Sequence, residues 1–189
     1  MKINEIIARL KRGNERFVKD RLALENQGSN RRQDVIKGQN PLAIILGCAD
    51  SRVVPELIFD TGIGELFVVR VAGNVANTST IASIEYAVAH LETKVIVVLS
   101  HQSCGAVTAA VVGGDNGVNL NHLLALITPA IADSGENATV DDISRKNAQL
   151  TVMELAHQSH IISNAVKNDS LKIIPAYYNL DTGIVEYLV

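Results

Sequence analysis

The sequence is poor in the residue types that mark exported, membrane-bound or nucleic-acid-binding proteins. It has no tryptophan, two cysteines and a net charge of −3, without the basic excess that binds nucleic acid or an anionic membrane. No apolar run approaches the roughly 18 residues of a membrane span, and the N-terminus lacks the features of a signal peptide. We therefore expect a cytoplasmic protein with no nucleic acid or membrane partner. Its cysteines should then be reduced and free to bind a metal.

The length and composition favour one globular domain spanning 1–189. A chain of 189 residues buries roughly 70% of its unfolded surface and needs no disulfide to fold. We divide it into an N-terminal helical arm, 1–38, and an α/β core, 39–189. In the arm, 2–20 has the apolar spacing of an amphipathic helix, which needs a surface to cover its apolar stripe.

Hydrophobic runs alternate with helical patterns along the core. This alternation predicts a central, mostly parallel β-sheet flanked by helices, with an antiparallel hairpin at the C-terminus. A capping box at Thr139 and Asp142 marks the start of one helix. The predicted strands are 42–48, 65–71, 94–100, 171–178 and 183–188. The predicted helices are 53–60, 79–91, 104–112, 120–132 and 140–167, with a loop at Gly28-Ser29-Asn30 and a short helix near 31–37 in the arm.

Two of the apolar runs end in residues that bind metals. The run at 42–48 ends with Cys48, and the run at 94–100 is followed by His101 and then Cys104. Zinc favours thiolate sulfur and imidazole nitrogen, and ligand sites in open α/β sheets form beyond the carboxyl ends of the strands. Three protein ligands leave one position open, as in a catalytic zinc site.

These residues also have simpler interpretations. A free cysteine is often a small buried hydrophobic residue, and two cysteines can form a disulfide in an exported protein. Asp50-x-Arg52, taken alone, is typical of a surface salt bridge. Because both apolar runs end in residues that can bind a metal, a metal site is favoured over core packing alone.

The same residues resemble the signature of the β-class carbonic anhydrases. The signature is Cys48-x-Asp50-x-Arg52 followed by His101-x-x-Cys104. The resemblance extends from about Gly13 to the closing hairpin. It includes Gly13-Asn14-x-Arg16-Phe17, Pro55-Glu56, Gly64-Glu65-Leu66-Phe67-Val68-Val69-Arg70, Ala72-Gly73-Asn74 and Cys104-Gly105-Ala106.

The resemblance implies a zinc enzyme that reversibly hydrates carbon dioxide to bicarbonate and a proton, with zinc-bound hydroxide as the nucleophile. One Zn²⁺ per subunit would be held by Cys48, His101 and Cys104. Asp50 and Arg52 would be catalytic. In an open state Asp50 pairs with Arg52, and in a closed state Asp50 becomes the fourth zinc ligand.

Three further residues, Gln39, Phe67 and Tyr86, match the substrate pocket of the family by position. The amide of Gln39 is a candidate hydrogen-bond donor to bicarbonate, and the backbone N–H of Gly105 is a further donor candidate near the metal. Phe67 and Tyr86 match an apolar wall that the neighbouring subunit supplies, although an aromatic residue on a strand or helix is more often part of a core. The small residues at 71–73 suit a pocket for a molecule the size of carbon dioxide. The family also packs the segment equivalent to 2–20 across a partner, which implies a homodimer or a dimer of dimers.

The chain departs from the family pattern at two positions. Ser100 replaces a common glycine, and Ile45 stands where members with a regulatory bicarbonate site have tryptophan, which argues against that site here. Two other functions stay open: a hydrolase of carbonyl sulfide or carbon disulfide on the same fold, and a non-catalytic zinc-binding homologue. His157 and His160, spaced i and i+3 on a predicted helix, have no partner that suggests a second metal.

Overall fold

The structure is a computed structural model, and it describes residues 1–188. Nine helices and five strands follow one another along these residues. The helices are α1 (Ile3–Val18), α2 (Ser29–Asp34), α3 (Pro55–Ile58), α4 (Thr78–His90), α5 (Gly105–Val112), α6 (Val118–Ala125), α7 (Thr128–Ser134), α8 (Val140–Gln158) and α9 (His160–Lys167). The strands are β1 (Ala43–Gly47), β2 (Leu66–Arg70), β3 (Val95–His101), β4 (Lys172–Tyr178) and β5 (Val185–Tyr187).

The five strands form one sheet in the order β2-β1-β3-β4-β5. The first four run parallel, and β5 pairs antiparallel with β4. The predicted α/β fold, with a mostly parallel sheet and a C-terminal antiparallel pair, is confirmed. Because β1 and β3 are adjacent and parallel, the loops that follow them leave the same edge of the sheet.

The central strands β1 and β3 are apolar along most of their length because helices cover both faces of the sheet. All residues of β1 and β3 are buried. Side chains alternate along a strand, so Ile45 and Val97 pack in one core cluster and Ile44 and Ile96 in the other. The first cluster includes side chains of α1 and α3, and the second includes those of α4, α8 and α9.

Helix α1 packs on its own chain. Ile6 and Leu10 are buried in the first core cluster. The core of the same chain therefore covers part of the apolar stripe of this helix. Gly13 allows a close approach, because a Cβ there would lie 1.8 Å from the carbonyl oxygen of Phe59. The buried Asn14 amide donates to the carbonyl of Gly183 at 2.8 Å and accepts from the N–H of Val185 at 2.9 Å. Gly13 and Asn14 of the family motif therefore fix the arm to the core.

Several predicted boundaries were wrong. The helix predicted over 120–132 is two helices, because α7 restarts with Pro129 in its first turn, where a proline needs no N–H partner. The helix predicted over 140–167 breaks at Ser159, which caps α9 by accepting from the N–H of Ile162 at 3.1 Å. Ser29 and Asn30, predicted as loop, belong to α2.

Other local predictions agree with the structure. Thr139 and Asp142 form the predicted capping box at the start of α8.

A short 3-10 turn at Ala72–Asn74, absent from the prediction, follows β2. Among the helices within 1–188, none combines the length and apolarity required to cross a bilayer.

A third apolar cluster lies beyond the carboxyl ends of β1 and β3. It contains Cys48 and Cys104 together with side chains of α5, α6, α7 and α8. The fold therefore places both cysteines in one enclosed region, with the last residue of β3, His101, beside them.

Candidate metal centre

Cys48, His101 and Cys104 meet where β1 and β3 end. Cys48 follows β1 directly, His101 is the last residue of β3, and Cys104 is the N-cap of α5. Their ligand atoms all lie within 4.8 Å of one another, and no other group of three or more such residues was found in 1–188. The two sulfur atoms are 4.0 Å apart, close to the about 3.8 Å expected for two thiolates on a tetrahedral zinc.

His101 has one nitrogen in use and one free. Its Nδ1 lies 2.9 Å from the carbonyl oxygen of Gln102. Because a carbonyl oxygen only accepts, this contact assigns the ring proton to Nδ1 and leaves a lone pair on Nε2. Within 1–188, Nε2 is buried and has no hydrogen-bond partner. An orphaned buried acceptor of this kind fits a metal ligand whose orientation is fixed by its other nitrogen.

The two thiols lie too close together to ionise independently. The pKa of Cys48 is lowered, chiefly because the Cys104 thiol donates a hydrogen bond to it, although burial acts in the opposite direction. The pKa of Cys104 is raised, because it would lose its proton beside the Cys48 sulfur and in a buried position. A divalent cation between the sulfurs would stabilise both thiolates and relieve this conflict. The donor set therefore fits zinc.

Asp50 and Arg52 form a bidentate pair next to these ligands. Asp50 Oδ1 accepts from Arg52 Nε at 2.9 Å, and Asp50 Oδ2 accepts from Arg52 Nη2 at 2.8 Å. Asp50 Oδ2 also lies 3.9 Å from Nε2 of His101. The paired guanidinium, above all, holds the pKa of Asp50 well below its usual range, so Asp50 is an anion at neutral pH.

Arg70 supports the loop that carries Cys48 and Asp50. It is the last residue of β2, and its guanidinium donates to the carbonyl of Cys48 at 3.1 Å and to that of Asp50 at 2.6 Å. No role for Arg70 was predicted from the sequence. Its position at the end of the predicted strand 65–71 was the available signal.

Gly73 and Asn147 support the Cys48 sulfur. The N–H of Gly73 donates to Cys48 Sγ at 3.3 Å, and its carbonyl accepts from the buried amide of Asn147 at 2.7 Å. Gly73 has φ +70°, and a Cβ there would lie 2.7 Å from Cδ1 of Ile127. Gly73 was predicted to be a small pocket residue, whereas its N–H contacts the Cys48 sulfur.

Comparison with known proteins identifies the family. Residues 43–185 match the family model described as "Carbonic anhydrase". Carbonic anhydrase 2 of Mycobacterium tuberculosis is 40% identical over 180 residues, which cover 92% of this chain and 87% of that protein. This chain belongs to the carbonic anhydrase family.

Solved structures place the chain in the β class of that family. A Coccomyxa β-carbonic anhydrase in complex with acetazolamide superposes with a TM-score of 0.77 at 26% identity, covering 94% of this chain and 83% of that chain. One of two tetrameric β-carbonic anhydrases from Sordaria macrospora gives a TM-score of 0.72 at 27% identity, covering 80% and 82%. The family resemblance read from the sequence is confirmed.

The three residues matched to the family's substrate pocket lie away from the metal ligands of their own protomer. Phe67 pairs with Ile44, four residues before Cys48, which corresponds to about 13 Å along the strand. The rings of Phe67 and Tyr86 are 6.4 Å apart, and Tyr86 lines a surface depression together with Gln39. Gly105, in contrast, follows Cys104 at the start of α5. The roles of all four in binding substrate stay predictions.

The departures from the family pattern have local explanations. Ser100 fits within the sheet, where its hydroxyl donates to the carbonyl of Ala176 at 3.1 Å. Ile45 is fully buried in the first core cluster. His157 and His160 lie on separate helices, α8 and α9, instead of the single helix that the sequence predicted.

Proposed function

We propose that this protein is a zinc-dependent carbonic anhydrase that reversibly hydrates carbon dioxide to bicarbonate and a proton. The observation that carries the proposal is the buried set of Cys48, His101 and Cys104 beside the Asp50–Arg52 pair. Two sulfurs and one imidazole nitrogen suit zinc, and three protein ligands leave a fourth position for reaction chemistry. Membership of the carbonic anhydrase family supports the same reaction.

Zinc in this site would supply a Lewis acid that lowers the pKa of a water molecule and provides a nucleophile near neutral pH. Two thiolates and a neutral imidazole cancel the charge of the ion, so this set assists ionisation less than three histidines would. Activity should therefore rise as the pH increases above 7. His101 holds its tautomer through Gln102, and Gly73 supports the Cys48 thiolate.

Asp50 orients the nucleophile by accepting a hydrogen bond. Its carboxylate is anionic at neutral pH because Arg52 pairs with it, so it accepts a hydrogen bond readily but holds a proton poorly. The contact with Arg52 also holds the carboxylate as a hydrogen-bond acceptor beside the metal ligands, with Oδ2 3.9 Å from Nε2 of His101. Loss of that contact would allow Asp50 to occupy the fourth position itself, giving a closed and inactive state.

The substrate pocket forms between two subunits. In this arrangement Gln39, Phe67 and Tyr86 of one protomer complete the metal site of its partner, and the N–H of Gly105 is a further donor. Two observations support this arrangement. Within one protomer, Phe67 and Cys48 are separated by about 13 Å along the strand direction, and the Tyr86 side chain is 49% exposed. A structurally similar protein is described as tetrameric, which agrees with a homodimer or a dimer of dimers.

Stopped-flow measurement of carbon dioxide hydration on protein of known zinc content tests this function. The expected result is hydration that increases with zinc occupancy and is lost in Cys104→Ala. Carbonyl sulfide and carbon disulfide serve as competing substrates in the same preparation. Hydrolysis of either without carbon dioxide hydration would assign the protein to that hydrolase group. Full zinc with no turnover of any of the three would indicate a non-catalytic homologue.

A further inference from the structure

Ser103 connects the Asp50–Arg52 pair to a helix that carries none of the metal ligands. It lies between His101 and Cys104 and has φ +53°, a left-handed conformation that is unfavourable for a non-glycine residue. Its carbonyl accepts from Arg52 Nη2 at 3.2 Å. Its N–H donates to Oδ1 of Asp141 at 2.8 Å. Such a conformation persists only where the surrounding structure holds it. These two contacts engage both the backbone N–H and the backbone carbonyl of Ser103.

Asp141 is itself held in place. It lies in the first turn of α8, between Val140 and the capping residue Asp142. One turn later, Arg145 lies 3.7 Å from the ring centroid of Tyr177 and pairs with Glu186 at 2.5 Å. Burial and then the neighbouring Asp141 carboxylate raise the pKa of Tyr177, so its hydroxyl stays a donor beside Asp141. The acceptor offered to Ser103 therefore lies at the start of α8, beside Tyr177 of the sheet.

We propose that Asp141 is a positioning residue that holds Arg52 on Asp50 through the backbone of Ser103. The inference rests on the proposed function and deepens it. Without the Asp141 acceptor, the left-handed turn at Ser103 relaxes and its carbonyl leaves Arg52. Arg52 then loses one of the contacts that orient its guanidinium toward Asp50. The balance shifts toward the state in which Asp50 ligates the metal.

A competing role for Asp141 is purely local. An acidic residue in the first turn of a helix stabilises that helix by interacting with its dipole, without any effect on Arg52. Two variants separate these roles. Asp141→Asn removes the charge but keeps an oxygen that accepts from Ser103. Asp142→Ala removes an acid and a cap from the same helix end without touching Ser103.

The main test measures azide binding to the cobalt(II)-substituted protein by its visible absorption. Azide needs the open fourth position, so ligation by Asp50 competes with it, and the readout does not depend on carbon dioxide turnover. Asp141→Ala should weaken azide binding about tenfold, the effect of one hydrogen bond of about 1.4 kcal/mol. Asp141→Asn and Asp142→Ala should bind azide as the unmodified protein does.

A double-mutant cycle with Asp50→Ala completes the test. In that background no carboxylate competes for the metal, so adding Asp141→Ala should leave azide affinity unchanged. The proposal is overturned if Asp141→Ala has no effect, if Asp142→Ala weakens azide equally, or if the effect of Asp141→Ala persists without Asp50. A protein that opens and closes as proposed but hydrates no carbon dioxide would instead disprove the function and leave the positioning role standing.

Discussion

Asp50 Oδ2 lies 3.9 Å from Nε2 of His101 and only 2.8 Å from Nη2 of Arg52. One carboxylate oxygen thus faces two alternative partners, the guanidinium and any metal ion that Nε2 holds. In this structure Asp50 accepts two hydrogen bonds from the Arg52 side chain and one from its backbone N–H at 3.0 Å. On the proposed function, the Asp50–Arg52 pair would control access to the fourth position of the metal.

Replacing Asp50 by asparagine should abolish most turnover while zinc stays bound. Asparagine has nearly the same size but lacks the charge that orients the nucleophile. We expect kcat for carbon dioxide hydration to fall by about 10²-fold or more, the scale of a lost acid–base or orienting group. Stopped-flow assays from pH 6 to 9 (chosen assay conditions), with zinc content measured on each sample, check this. Unchanged rates at full zinc would make Asp50 a bystander.

Removing Arg52 should lower activity by a different route. Arg52→Ala frees Asp50 to ligate the metal, so activity falls most at low pH, where closure is favoured. Zinc content should not change. Arg32→Ala, which removes an exposed arginine on α2, is the matched control and should behave as the unmodified protein. Equal losses in both variants would point to a general effect of charge instead.

The three metal ligands should each be required for zinc retention. Cys48→Ala, His101→Ala and Cys104→Ala should each bind much less than one zinc per chain, because two remaining ligands hold the ion weakly. Metal analysis after dialysis against a mild chelator measures this. His122→Ala, a histidine on α6 outside the cluster, should retain zinc fully. Stoichiometric zinc in the Cys104→Ala protein would disprove the ligand set.

The ligands could be read from the sequence because each one ends or follows an apolar run. Cys48 comes directly after β1, and His101 ends β3. Once the alternation of strands and helices predicts a parallel sheet, the two strand ends must share an edge, and their chemistry must meet there. Local spacing then adds Cys104, Asp50 and Arg52.

The supporting residues could not be read in this way. Asn147 is 74 positions from Gly73, and Asp141 is 38 positions from Ser103, so no spacing rule connects either pair. Both act on backbone groups, whose position depends on tertiary packing. A weak signal does exist in α8, where Ser144, Asn147 and Thr151 interrupt a buried face with polar side chains. Buried polar residues usually have partners, but the sequence does not name them.

Asn147 should matter for zinc affinity as well as for stability. Asn147→Ala leaves the buried carbonyl of Gly73 without its donor, which costs about 1–3 kcal/mol of unfolding free energy. The Gly73 N–H then supports the Cys48 thiolate less well, and zinc affinity should fall about tenfold or more, as for other outer-shell partners. Competition with a chromogenic chelator measures the affinity. Lys146→Ala, one position earlier, should leave it unchanged.

The intersubunit pocket predicts that two inactive variants restore each other. Phe67→Ala keeps its metal ligands but lacks the apolar wall, whereas Cys104→Ala lacks zinc but keeps Phe67. A mixed dimer contains one complete site, because the partner's wall lies over the intact metal centre. Co-expressed and co-purified chains should therefore regain part of the activity that each variant lacks alone. No recovery in mixed dimers verified by mass spectrometry would place the pocket within one subunit.

The ion pair between the partly exposed Arg16 and the buried Asp60 should make stability depend on pH. Burial raises the pKa of Asp60, but the N–H of Ala23 and the Arg16 guanidinium outweigh it and lower the pKa overall. A depressed pKa stabilises the fold fully above the unfolded value of about 3.9, and this contribution is lost as the pH falls below it. Asp60→Asn should therefore be less stable than the unmodified protein at pH 7. The difference in unfolding free energy between Asp60→Asn and the unmodified protein, measured by urea unfolding, should become smaller between pH 5 and pH 3 (chosen assay conditions). Asp133→Asn, an exposed site on α7, should show no such difference, and a constant difference for Asp60→Asn would contradict the linkage.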